Sequence, residues 1–218
     1  MTLAVIPARK GSKGLPNKNI KLLNGKPLLF HTIDAALECP FFDKVMVTTD
    51  SEEILNMCND MCGTHLRNEW LGLDDTPLAP VIFDALETAE SRYQHMYNTI
   101  VTLQPTSPLR TSKHIIEACA QFERTKADSL LSVVEETHSL WGINNGEVEE
   151  LYNPKVNRQT AIPYYLGNGA IFITKRDTLL KHENRLGDKI ALYIMDARSS
   201  LDIHTLEDLE LAEWHLKR

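Results

Sequence analysis

The segment Ile6-Pro7-Ala8-Arg9-Lys10-Gly11-Ser12-Lys13-Gly14-Leu15-Pro16-Asn17-Lys18-Asn19, directly behind the short apolar run Leu3 to Ile6, constrains this chain more than any other stretch. From Met1 to Ile33 there are six basic residues (Arg9, Lys10, Lys13, Lys18, Lys21 and Lys26) and no acid, in a chain whose net charge is −7. Two glycines, a serine and two prolines between a strand and a helix let the backbone turn its N–H groups inward, while Arg and Lys neutralise oxygens. That chemistry suits a triphosphate. Taken alone, a Gly/Lys loop is also compatible with a solvated turn. Two familiar phosphate loops are excluded, because Gly11-x-x-Gly14 followed by Lys18-Asn19 fits neither G-x-x-x-x-G-K-[ST] nor G-x-G-x-x-G.

The acidic balance argues against nucleic acid as a partner, since only the first loop is basic. A chain of 218 residues, 43% hydrophobic, buries one sizeable core, so a single α/β domain over 1–218 with a small elaboration is expected. The apolar run before Pro7 is too short for a signal-peptide core, and no run of about 18 apolar residues occurs, so no membrane partner and a cytoplasmic location are expected. Cys39, Cys58, Cys62 and Cys119 show no C-x-x-C spacing and read as buried free thiols.

Leu3 to Ile6 reads as a buried strand, and Pro27 opens a helix with Leu29, Ile33, Ala36 and Leu37 on its apolar face. Lys44 to Thr48 is a second strand, and Thr49-Asp50-Ser51 supplies caps for a helix carrying Ile54, Leu55, Cys58 and Met61. Asp50 is most simply a helix cap, with a place near a nucleotide as the alternative. A link through His65 to Arg67 leads to a helix over Val81 to Ala89, and Arg67 beside acids reads as a surface ion pair. Thr99 to Leu103 is a strand that empties into Gln104-Pro-Thr-Ser-Pro-Leu-Arg110, where two prolines fix the path and let Gln104 present its amide. A helix from Ser112 to about Arg124 and a strand from Ser129 to Val134 follow.

Over 135–166 the helical period is lost, and Trp141, Tyr152, Tyr164 and Tyr165 are scattered among polar and turn residues. This reads as an inserted β-rich excursion that serves as a subunit interface, with a disordered lid as the alternative. Leu166 to Ile173 and Ile190 to Met195 return to strand character. Thr205 and Asp208 have capping-box spacing for a terminal helix over Leu206 to Leu216. Asp202, just before that cap, is the best carboxylate for a hard Mg²⁺ ion, which takes few protein ligands and keeps waters and substrate oxygens. Strands alternating with helices imply a mostly parallel sheet with ligands beyond the strands' carboxyl ends, and Arg9 to Asn19, Asp50, Arg67, Gln104 and Asp202 all follow expected strands.

The stretch Pro7-Ala-Arg-x-Gly-Ser-Lys-Gly-Leu-Pro-x-Lys-Asn19 resembles the signature of the acylneuraminate cytidylyltransferases, and Gln104-Pro-Thr-Ser-Pro-Leu-Arg110 matches a second family segment in full. Arg67-Asn-Glu-Trp-Leu71-Gly-Leu-Asp74 is similar to the family's R-P-x-x-L-A-x-D, departing at Asn68 and Gly72, and Asn168-Gly169 is similar to its N-G segment at the sugar pocket. The resemblance implies a Rossmann-like nucleotidyltransferase fold that transfers CMP from CTP to a sialic-type nonulosonic acid (N-acetylneuraminic, legionaminic or pseudaminic) using Mg²⁺, with Mn²⁺ as the alternative, in a homodimer built through 135–166. It implies that Ala8, Arg9, Lys13, Lys18, Asn19 and Arg67 hold the nucleotide. Arg9, Lys13, Lys18 and Asp202 carry the chemistry. Gln104, Tyr165, Asn168 and Phe172 face the sugar, and Arg110 buttresses the loop. Where the family reads D-x-D this chain has His204 after Asp202, and imidazole is a poor Mg²⁺ ligand, so a two-carboxylate grip is replaced. Asp202 with waters, a phosphate or hydroxyl contact by His204, and a weakened site with a different preferred metal are the three outcomes. Transfer to an eight-carbon ulosonic acid and a non-catalytic nucleotide-sugar binder are the rival functions.

Overall fold

The computed structural model describes residues 1–157 and 160–218; Arg158 and Gln159, within the expected insertion, lie outside the described residues. In chain order the elements are β1 (Thr2–Pro7), a 3₁₀ turn (Lys18–Ile20), the short pair β2 (Leu22–Leu23) and β3 (Lys26–Pro27), α1 (Leu28–Leu37), β4 (Lys44–Thr49), α2 (Glu52–Cys58) and β5 (Gly63–Leu66). A second 3₁₀ turn (Glu69–Gly72), α3 (Leu78–Tyr93), β6 (Thr99–Leu103), α4 (Ser112–Thr125) and β7 (Ser129–Glu136) follow. The chain ends through β8 (Leu140–Asn144), β9 (Glu147–Tyr152), β10 (Tyr164–Lys175), α5 (Arg176–His182), β11 (Ile190–Met195) and α6 (Leu206–Leu216).

Seven strands form one sheet in the order β11-β7-β10-β6-β1-β4-β5. β10 runs antiparallel to both β6 and β7, and the other pairings are parallel. β1 is covered on both faces, which is why Leu3 to Ile6 reads as an unbroken apolar run: Ala4 and Ile6 pack with α1, α2 and α4, while Leu3 and Val5 pack with α3. The chain leaves β1 toward β4 on one side and returns to β6 on the other, so the loops after β1 and β6 part over a crevice. A third apolar cluster, Leu15, Leu23, Leu28, Ile203, Leu209 and Ala212, ties the basic loop to α6.

Several local expectations are corrected. Helix α2 is capped by Ser51, whose Oγ accepts from the Ile54 N–H at 3.4 Å, not by Asp50. It ends at Cys58, so Met61 lies beyond it. The link before Arg67 is strand β5, and α5 was not anticipated. Pro27 is the N-cap of α1, one position earlier than a first-turn proline. The Thr205–Asp208 capping box forms in both directions, so aspartate serves in place of the longer acid. All four cysteines are free, with Cys62 only partly buried. In the excursion β7 extends to Glu136 and β10 starts at Tyr164, so 135–136 and 164–166 belong to the central sheet. What projects is the hairpin β8–β9, turned at Asn145 (φ 51°) and Gly146 (φ 87°), the backbone that Asn-Gly favours.

Candidate active site

At the carboxyl ends of β1 and β6 lies a cavity of about 430 Å³. Eight of the expected residues line it: Arg9, Lys13, Lys18, Asn19, Arg67, Gln104, Asp202 and His204. Leu71, Leu73, Leu78 and Val81 make an apolar wall that the sequence reading did not foresee.

The basic loop is held on both flanks. Asn17 takes a left-handed conformation (φ 55°), which asparagine tolerates, and starts the 3₁₀ turn that carries Lys18 and Asn19. Lys18 Nζ donates to the Ile203 carbonyl at 2.6 Å, and the Asn19 amide donates to the Arg9 carbonyl at 2.9 Å. A Cβ on Gly14 would lie 2.4 Å from the His204 carbonyl oxygen, so glycine is needed for this close approach to the Asp202 loop. On the other flank the Lys10 N–H donates to Asp50 Oδ1 at 2.7 Å. Burial pushes the Lys18 ammonium below its ordinary pKa, opposed by the negative charge of Asp202.

Arg67 is buried rather than a surface ion pair. It donates from one terminal nitrogen to the Thr48 carbonyl at 3.1 Å, and the other lies 3.7 Å from Asp50 Oδ1. Gly72, where the family has alanine, backs this carboxylate: a Cβ there would lie 2.2 Å from Asp50 Oδ2. Asp74, which was not anticipated as a site residue, accepts from Arg9 and from Lys13 (3.0 Å). Hydrogen bonds from Lys13, then Arg9, hold its carboxyl below the ordinary range. This carboxylate bridges the two cations of the loop.

Arg110 is fully buried beneath the second loop. It donates to the Gln104 carbonyl (3.1 Å), the Ala170 carbonyl (2.9 Å) and Thr32 Oγ1 (2.7 Å), which fixes the strand end from which Gln104 projects. Without a carboxylate partner, burial lowers its pKa to about 9. Gly169 (φ 73°) leaves room for Gln104, whose Nε2 lies 3.3 Å from where a Cβ would stand, with Asp202 Oδ2 at 3.8 Å. Asp202 Oδ2 is 2.9 Å from His204 Nε2, and its buried Oδ1 has no hydrogen-bond partner.

Four expected residues do not line the cavity. Ala8 is fully buried and its N–H donates to Thr48 at 2.9 Å. The Asn168 amide, expected to meet a sugar, is engaged at both ends: Oδ1 accepts from Ser132 Oγ (2.5 Å) and Nδ2 donates to Ser200 Oγ (2.9 Å). Phe172 is capped by the Arg185 guanidinium 3.8 Å above its ring. Tyr165 sits beside Glu135 in the sheet register, outside the cavity.

The structure of CMP:2-keto-3-deoxy-manno-octonic acid synthetase complexed with CTP matches this fold with a TM-score of 0.74, covering 99% of this chain and 98% of that one at 17% identity. 4-Diphosphocytidyl-2C-methyl-D-erythritol synthase from Anaerococcus prevotii matches with 0.71, covering 100% and 98% at 13% identity. The architecture is thus a Rossmann-like α/β fold with a mostly parallel central sheet, shared with these two proteins. A family model described as Cytidylyltransferase matches residues 3–213. The chain belongs to the cytidylyltransferase family. It is 39% identical over 218 residues to N-acylneuraminate cytidylyltransferase of Escherichia coli O18:K1:H7, covering 96% of this chain and 51% of that protein. It is 36% identical over 223 residues to the Streptococcus agalactiae serotype V protein of the same name, covering 98% and 53%. CMP-N,N'-diacetyllegionaminic acid synthase of Legionella pneumophila is 31% identical over 223 residues, covering 97% and 94%. The chain spans about half the length of the first two relatives and nearly all of the third.

Proposed function

We propose that this protein transfers CMP from CTP to the anomeric hydroxyl of a sialic-type nonulosonic acid and releases pyrophosphate. The observation that carries this reading is the convergence of Arg9, Lys13, Lys18 and Arg67 with Gln104 and Asp202 on one cavity. Four cations suit a triphosphate, and an acid beside a rigidly presented amide suits a polyhydroxylated acceptor. The names of relatives that act on N-acylneuraminate and diacetyllegionaminic acid support the acceptor class.

The anomeric oxygen attacks the α-phosphorus of CTP. A new phosphorus–oxygen bond forms, the bond from that phosphorus to the bridging oxygen of the β-phosphate breaks, and pyrophosphate leaves with the electron pair. The hydroxyl proton passes to solvent. Arg9 and Lys13 exchange Asp74 for phosphate oxygens, and Lys18 and Arg67 neutralise charge that grows on the leaving group. Asn19, one amide N–H of which donates to the Arg9 carbonyl, offers Oδ1 to the 4-amino group of cytosine. The Ala8 N–H is committed within the sheet, so its part is to fix that backbone. Gln104 orients the acceptor from a strand end pinned by Arg110.

Asp202 fits a divalent ion: its Oδ1 is buried without a partner, and a hard cation that keeps waters and substrate oxygens needs few protein carboxylates. Among the described residues no group of three or more His, Cys, Asp or Glu could hold a metal, so Asp202 would hold Mg²⁺ (or Mn²⁺) together with phosphate oxygens. The ion would supply Lewis-acid polarisation of the α-phosphate. His204 orients the other carboxylate oxygen.

A second copy of the chain covers the β8–β9 hairpin in this reading, since Trp141 (56% exposed), Ile143 (78%), Val148 (69%) and Ile162 (82%) present apolar surface around it. Nucleotide chemistry and four free cysteines support a cytoplasmic site of action. Among the described residues no helix is long and apolar enough to cross a membrane.

The test is pyrophosphate release from CTP and Mg²⁺, repeated with Mn²⁺, using N-acetylneuraminic, legionaminic and pseudaminic acids and an eight-carbon ulosonic acid in parallel. Release with a nonulosonic acid is expected. Release only with the eight-carbon acid, or none alongside measurable CTP binding, overturns the acceptor class or the enzyme reading respectively. Asp202→Asn should abolish release while thermal unfolding is unchanged.

A further inference from the structure

We propose that Asp50 is a positioning residue for the triphosphate end of the site, holding the first turn of the basic loop and the Arg67 guanidinium in one arrangement. Asp50 directly follows β4, the strand that pairs with β1 through Pro7 and Thr48. The residue in its place would ordinarily compete for the helix cap, but Ser51 fills that role, so the Asp50 carboxylate reaches instead to a loop 40 residues earlier. One oxygen, Oδ1, serves two partners, accepting the Lys10 N–H at 2.7 Å and facing Arg67 at 3.7 Å. The other oxygen is backed by the bare Cα of Gly72. The carboxylate is therefore held from three sides.

One group it holds, Arg67, lines the cavity, and the other adjoins it. Lys10 leads into Gly11, Ser12 and Lys13, which line the cavity, and so does Arg67. The Arg67 side chain is 3% exposed, its Nε has no hydrogen-bond partner, and its remaining direct contact is the Thr48 carbonyl. A buried guanidinium held by one carbonyl has several rotamers open to it, whereas one also facing a fixed carboxylate has few. Asp50 itself is not among the residues that line the cavity. Its contribution is that the loop carrying Lys13 and the Arg67 guanidinium stand in place before the nucleotide arrives.

This inference rests on the proposed use of CTP, and the experiment separates the two. CTP and CMP are titrated calorimetrically against the parent protein and the variants Asp50→Ala and Asp50→Asn, with thermal unfolding measured alongside. CMP lacks the β- and γ-phosphates. Asp50→Ala should weaken CTP binding about 10- to 100-fold, the loss expected when an acceptor for a charged donor is removed, with CMP binding changed less than about threefold. Asp50→Asn keeps an acceptor for Lys10 and loses the charge facing Arg67, so it should fall between the two, about 3- to 10-fold. Should the alanine variant not fold, the asparagine variant carries the test alone. CTP binding within twofold of the parent in both variants overturns the proposal. An equal fall for CTP and CMP with a lowered melting temperature also overturns it, since that is general loosening. A parent protein that binds no CTP sinks the proposed function and this inference with it.

Discussion

Replacing Lys18 with methionine keeps the length of the side chain and removes its charge. In the structure Lys18 Nζ donates to the Ile203 carbonyl at 2.6 Å, beside Asp202, from a half-buried position that lines the cavity. A hydrogen bond from a charged donor is worth about 1.5–3 kcal/mol, or about 10- to 150-fold at 1.4 kcal/mol per tenfold. We expect kcat/KM for CTP to fall by that factor in Lys18→Met. The pH dependence gives a second readout. Burial lowers the Lys18 pKa from its ordinary 10.5, so the charge is lost at a lower pH than in an exposed lysine, and the parent's kcat/KM should decline on an alkaline limb that the variant lacks. The stability effect has the opposite sign. A lysine whose folded pKa is lowered binds fewer protons in the fold than in the unfolded chain between that value and 10.5, so burying its charge costs stability at neutral pH. The variant should accordingly melt no lower than the parent, apart from the lost Ile203 contact. The assay is steady-state pyrophosphate release against CTP concentration from neutral to alkaline pH. A variant within threefold of the parent, or one with the same alkaline limb, refutes the reasoning.

Three further outcomes follow from the geometry. Asp74→Asn removes the carboxylate that bridges Arg9 and Lys13, and because those side chains are 34% and 76% exposed the gain is small: inorganic pyrophosphate should bind about two- to fivefold tighter by calorimetry. Glu90 accepts from Arg176 at 2.9 and 3.0 Å and from the Tyr97 N–H at 3.2 Å, tying α3 to α5, so Glu90→Gln should cost about 1–2 kcal/mol in urea unfolding at neutral pH. Arg176 above all holds the Glu90 carboxyl below its ordinary 4.5; its contribution is full above that pH and is lost as pH falls through the lowered value, so parent and variant should converge in acid. Ile143→Glu puts a charge at the hairpin's most exposed large apolar side chain and should shift sedimentation from dimer to monomer at the same protein concentration.

Much of the site was legible because its signals are local. Glycine, proline and lysine in one loop, and two prolines in another, encode backbone paths that need no distant partner, and the residues they carry reached the cavity. The short strand β5, Gly63-Thr-His-Leu66, was missed because it has one apolar side chain and draws its stability from pairing with β4. Helix α5 is a seven-residue polar segment whose burial of Thr178 and Leu179 depends on its neighbours. Asn168 lies away from the cavity lining for a different reason: its amide is engaged by Ser132 and Ser200, 36 and 32 residues away, and nothing near it in sequence announces that. Phe172 and Tyr165 lie on the antiparallel strand β10, where Tyr165 pairs with Glu135 and Phe172 is capped by Arg185, and nothing near either in sequence announces those neighbours. The role of Asp50 was hidden behind a cap that Ser51 supplies.

The central claim is that one phosphorus is moved from CTP to a sugar oxygen. Phosphorus NMR of the protein with CTP, Mg²⁺ and the preferred nonulosonic acid tests it most directly. The three CTP resonances should decay while one phosphodiester resonance and pyrophosphate grow in equal amounts. CTP that stays intact, or that yields CDP and inorganic phosphate without a phosphodiester, would contradict it.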